Sequence, residues 1–155
     1  MKIVRTLAAY IASLAATYFF SVAFFTQQVI AKAAAVGAVY TPGQQLQAFQ
    51  ENFYGLAFRD PPSLAQPSFG ITLAVAITVG FAVAFVVKRI LKPLAPVAYP
   101  VAGAAAVFAL LTFIESTVAG GGVGAIGGAR DMTGLLLQAL AGFLGGGLFA
   151  VLRPR

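Results

Sequence analysis

The chain has 155 residues, 60% of them apolar and only 9% charged, with a formal net charge of +6. Soluble domains carry about a quarter charged residues, so this balance excludes an ordinary water-soluble fold and points to a membrane protein. There is no Cys or His, and Glu51, Asp60, Glu115 and Asp131 are the only acids, so no enzyme activity, metal or cofactor is expected.

The basic residues sit in short clusters beside apolar runs rather than over one polar face. That distribution marks membrane topology, and no nucleic-acid partner is expected. After Met1-Lys2-Ile3-Val4-Arg5, no charge occurs from Thr6 to Ala31. The run exceeds the ~20 residues that cross a bilayer and the ~7–15 of a secretory h-region. A first span at about 6–30 is therefore expected, although Ala31-Lys32-Ala33 has the small residues of a cleavage site. Thr6, Tyr10, Ser13, Thr17 and Ser21 recur every three or four residues and form a polar stripe along one helical face. Small hydroxyls on a membrane helix ordinarily pack against other helices; a hydrated solute path would use the same stripe.

Residues 31–68 form a connection too long for a hairpin. Thr41-Pro42-Gly43-Gln44 has the form of a capping box with Pro at N1. Leu46, Phe49, Phe53 and Leu56 or Ala57 then recur at helical spacing, opposite Gln44, Gln47, Glu51 and Asn52. A short amphipathic helix at about 42–57 is expected, on the bundle or at the membrane surface. Arg59-Asp60-Pro61-Pro62 and Pro67 should end it in a stiff linker.

A second span at about 69–88 closes on Lys88-Arg89-Ile90-Leu91-Lys92-Pro93. A third at about 95–117 should become regular near Pro96 and bend at Pro100, with Tyr99 at interface depth. Gly120 to Gly128 holds six glycines in nine residues. Within it, Gly122-Val123-Gly124-Ala125-Ile126-Gly127 matches the dinucleotide-binding pattern, but no strand precedes it and the match carries no meaning. Asp131 is placed to cap a fourth span at 132–152, seamed by Gly142, Gly145, Gly146 and Gly147.

With the N-terminus inside, the cytoplasmic side holds Lys2, Arg5, Lys88, Arg89, Lys92, Arg153 and Arg155, against Lys32, Arg59 and Arg130 outside. The expected protein is thus an all-α, multi-pass, four-helix membrane domain covering 1–155, with both termini cytoplasmic and the amphipathic helix in an outer loop. Its Ala- and Gly-rich composition suggests a bacterial inner membrane. Glu115, near the end of the third span, is the candidate intramembrane polar group, with Arg130 as its nearest cation and Gln138 as a potential donor. The glycine seam is the candidate packing or partner face, and Tyr18-Phe19-Phe20 and Phe24-Phe25 are expected to be lipid-facing or interfacial bulk. The expected function is association: an accessory or stabilising subunit of a larger complex, or a homo-oligomer. The alternative is a small transporter or channel using Glu115 and the hydroxyl stripe.

Overall fold

A computed structural model describes residues 1–58, 68–118 and 131–154. They form five α-helices and no strand: α1 (Lys2–Ala35), α2 (Pro42–Ala57), α3 (Phe69–Ile90), α4 (Ala98–Val118) and α5 (Met132–Leu152), with a 3₁₀ turn at Lys92–Leu94 before α4. Four of them, α1, α3, α4 and α5, are long and apolar enough to cross a membrane. The linker 59–67, the glycine loop with its nucleotide-like pattern, Arg130 and Arg155 lie outside the described residues.

Local chemistry sets the helix ends. The Thr41 hydroxyl accepts from the Gln44 amide, and the Thr41 amide donates to Gln44 Oε1 at 2.9 Å, so the capping box forms with Pro42 behind it. Ser68, buried at the start of α3, caps it by accepting from the Ile71 amide at 3.4 Å. Asp131 caps α5 by accepting from the Gly134 amide at 2.7 Å. Pro100 falls in the first turn of α4, where a missing N–H leaves no intrahelical bond unmade.

The spanning helices pack α1 against α5, α5 against α4 and α4 against α3, while α3 only grazes α1, so the ring is incompletely closed. Helix α1, at 34 residues, is about 51 Å long at 1.5 Å per residue, well beyond a ~30 Å hydrocarbon core. Its second half runs on past the start of α3, and α2 packs there against Tyr18 and Thr26, while Lys32 near the far end is level with the start of α5. Helix α2 rests on the middle of α1 and on the start of α3. The Tyr18 hydroxyl donates to the Phe53 carbonyl at 2.5 Å, Asn52 Nδ2 donates to Thr26 Oγ1 at 3.0 Å, and Phe19 meets Phe49 edge-on.

Three expectations change here. Asn52 turns inward because Thr26 offers it an acceptor, and Leu46 stays 59% exposed beyond the edge of the contact. Tyr18 and Phe19 also seat α2 rather than being lipid-facing or interfacial bulk alone, with Phe19 still 47% exposed. The first helix runs to Ala35, five residues past the expected end at 30, before Gly37 turns the chain at φ +90°.

Candidate functional site

The polar stripe of α1 lies against the glycine seam of α5. Ser13, Thr17 and Ser21 are essentially inaccessible, and so is Gln138 on the facing helix. Ser13 Oγ donates to the Gly145 carbonyl at 2.7 Å, and Thr17 Oγ1 returns to the Ser13 carbonyl at 2.9 Å. The Ser21 hydroxyl bonds Gln138 Oε1, and Gln138 Nε2 donates to the Ser21 carbonyl at 2.9 Å. Each buried polar group along the stripe thus has a partner in the bundle, as a low-dielectric interior demands. Toward the N-terminus, Tyr10 reaches Thr78 of α3 at 2.5 Å, and Thr6 bonds back to the Lys2 carbonyl at 3.0 Å on the exposed first turns.

The glycines divide between two neighbours. A Cβ at Gly142 would collide with the Gly103 carbonyl of α4, and one at Gly146 with the Tyr99 carbonyl. At Gly145 it would meet Thr17 Oγ1, with the Ser13 carbonyl 3.0 Å away. Around Gly147 there is nothing within 4 Å. Three of the four seam glycines therefore let α1 and α4 approach α5 within this chain, and only Gly147 faces away.

Gln138 does not join Glu115: its amide is engaged on both sides by Ser21. Glu115 lies near the end of α4, partly exposed, and Arg130 is outside the described residues. At that end the ion pair formed by described residues is Lys32 with Asp131, 3.1 Å apart, linking the far end of α1 to the start of α5. The Asp131 carboxyl is held below the usual carboxylate range, first by the Gly134 amide it accepts from and then by the Lys32 ammonium. A depressed acid stabilises the fold above its unfolded pKa and loses that contribution as pH falls through the folded value. Unfolding midpoints should therefore show no Asp131-dependent change between pH 5 and 8, and a loss only below about pH 4. Asp131→Asn, which keeps a capping oxygen, should flatten that acid limb, and Asp131→Ala should also speed hydrogen exchange at the Gly134 amide.

Two surface features complete the inventory. An open groove of about 690 Å³ lies between α3 and α4, and a second of about 690 Å³ opens between α1 and α3 at the end bearing Lys2, Lys88 and Arg153. The basic residues of this second crevice read, in sequence, only as topology signals; their convergence depends on how α1 and α5 pack. No group of three or more His, Cys, Asp or Glu side chains able to hold a metal occurs among the described residues. Compared with family models, curated proteins and solved structures, the chain matches none.

Proposed function

We propose that the protein is a non-catalytic membrane protein that works by association, as an accessory or stabilising subunit of a larger bacterial inner-membrane complex or as a homo-oligomer. In this reading both termini are cytoplasmic, and α2 packs on the outer side. The observation that carries it is the α3–α4 groove, lined by Gly80 and by five alanines including Ala105 and Ala109, flanked by Val75, Val79, Val83 and Phe113, and containing no ionisable group. Lipid gives no hydrophobic drive for helices to associate, so smooth small-residue surfaces that permit close backbone approach are what bring them together. The transporter alternative draws less support. The Ser13–Thr17–Ser21 part of its hydroxyl stripe is closed to solvent, with Ser13 and Ser21 hydrogen-bonded to α5.

The chain has no Cys, so Ala105→Cys introduces a single thiol at the groove. Oxidative crosslinking in native membranes should trap a neighbouring chain. A band at twice the mass marks self-association, and a heavier mixed band, identified by mass spectrometry, marks a partner subunit. Ala105→Trp should abolish the higher assembly in mild detergent while leaving the monomer folded. A Trp variant that assembles like the parent, with no crosslink from position 105, would remove the groove as the association surface. Glu115→Gln should leave assembly and ion flux unchanged.

A further inference from the structure

The end of the bundle that carries Lys2, Lys88 and Arg153 holds positive charge with no acidic side chain answering it among the described residues. Lys88 Nζ lies 5.1 Å from the centre of the Tyr99 ring, and the Arg153 guanidinium carbon lies 4.7 Å from the same centre. Arg153 also donates to the Tyr99 hydroxyl at 2.7 Å. Two cations on one aromatic ring repel each other, and the ring quadrupole offsets that repulsion only in part. The described carboxylates, on Glu51, Glu115 and Asp131, all belong to the opposite end: on α2, at the close of α4 and at the start of α5. No acidic side chain stands among the described residues that line this crevice.

Beneath the charges the lining is apolar. Phe81, Tyr99 and Phe149 form a mutually packed trio with ring centroids 4.7 to 5.4 Å apart. The side toward α1 stays open because Lys2 to Ala8 are all exposed and Ala9 is the first residue of that helix to be buried. The Tyr10–Thr78 hydrogen bond closes the crevice at its inner limit. The result is a cleft with a cationic mouth and an aromatic floor, opening sideways from a membrane bundle. Its volume of about 690 Å³ is that of a small-molecule site.

We infer that this crevice binds an anionic phospholipid, with the headgroup phosphate between Lys2, Lys88 and Arg153 and an acyl chain along Phe81 and Ala82. A phosphate supplies the missing counter-charge and the acceptors that guanidinium and ammonium groups favour. The acyl chain covers apolar surface that the gap between α1 and α3 leaves open. Basic pockets between membrane helices select acidic lipids on the same physical grounds.

The test uses the full chain in nanodiscs and in detergent. Phosphatidylglycerol should be retained over phosphatidylcholine in native mass spectra and should raise the unfolding midpoint. Lys88→Gln and Arg153→Gln should each lower that preference several-fold, and together they should abolish it. Arg5→Gln and Lys92→Gln, which remove charge near the same end but outside the crevice, should leave it intact. Ala82→Trp, filling the chain-binding part at an exposed position, should weaken retention without touching a charge. Two results would overturn the inference: an equal loss of preference in the Arg5 and Lys92 variants, which would make the effect one of overall charge, or an equal rise in midpoint with inorganic phosphate, which would leave the acyl chain no part.

Discussion

Valine at position 146 should prevent the bundle from assembling, whereas alanine at 147, one residue along, should leave it at least as stable as the parent. Both residues sit in the middle of the same helix, so intrinsic propensity cannot separate them. What differs is the neighbour. A Cβ on Gly146 is driven into the Tyr99 carbonyl and lies 2.9 Å from Pro100 Cα, and these are backbone atoms that cannot rotate aside. The only relief is to move α4 away from α5. That would also part Tyr99 from Phe149, whose rings pack 4.8 Å apart, and unseat the buried Val107. Overpacking typically costs 1–3 kcal/mol where side chains can adjust, so about 3 kcal/mol or more is expected where only backbone is available.

Gly142 should behave like Gly146, because Gly103 and Gly142 abut reciprocally and neither tolerates a Cβ. Alanine at Gly145 should cost less than valine at 142 or 146 because it adds one methyl, but that methyl displaces the Thr17 hydroxyl from its bond to Ser13, and Thr17 Cβ and the Ser13 carbonyl, each 3.0 Å off, limit the room. Gly147→Ala meets nothing and removes backbone entropy from the unfolded chain, a gain of roughly 0.5–1 kcal/mol. Loss of far-ultraviolet circular dichroism across an SDS titration should therefore rank the variants Gly146→Val and Gly142→Val first, Gly145→Ala next and Gly147→Ala last. If Gly147→Ala unfolds as early as Gly146→Val, then Gly147 contacts something beyond this chain and the seam is a partner face after all.

Much of this architecture was legible in the sequence because it rests on local rules. Four apolar runs of bilayer length become α1, α3, α4 and α5, and Thr41 and Asp131 cap helices as their positions suggest. The hydroxyl stripe on α1 and the glycines on α5 were each visible, yet nothing local could pair them. Ser13 and Gly145 are separated by 132 residues, and which helices adjoin depends on how all four pack. The inward turn of Asn52 was hidden for a related reason. Its partner Thr26 belongs to another helix, so a pattern of hydrophobicity along α2 alone sends a polar side chain outward. The Lys88–Tyr99–Arg153 cluster joins three separate elements and has no spacing signature at all.

Alanine at position 138 should be the most damaging change to a single polar residue in the bundle, and a double-mutant cycle with Ser21 should show why. Gln138 is 2% exposed and uses both ends of its amide on Ser21, one on the hydroxyl and one on the backbone carbonyl. Gln138→Leu keeps most of the volume and removes the amide. The Ser21 hydroxyl can then fall back on the carbonyl one turn earlier, and the helical carbonyl keeps its own intrahelical partner. Coupling between side chains inside membranes averages about 0.6 kcal/mol and reaches about 1.7. Ser21→Ala removes the hydroxyl but keeps the backbone carbonyl that Gln138 Nε2 donates to, so the cycle of Ser21→Ala and Gln138→Leu reads one of the two bonds and should lie near that average. Gln138→Ala also removes packing beside a small void already lined by Phe25, Leu56, Phe69 and Leu111. Enlarging such a space brings the loss to about 2–4 kcal/mol. Leu56 belongs to α2, so the extra space opens beneath that helix, and hydrogen exchange across Pro42–Ala57 should accelerate in Gln138→Ala but not in Gln138→Leu. A cycle with no coupling would mean that the Ser21 hydroxyl and Gln138 Oε1 do not bond in the folded protein. Equal exchange in both variants would place the support of α2 in its contacts with Tyr18, Phe19 and Thr26 alone.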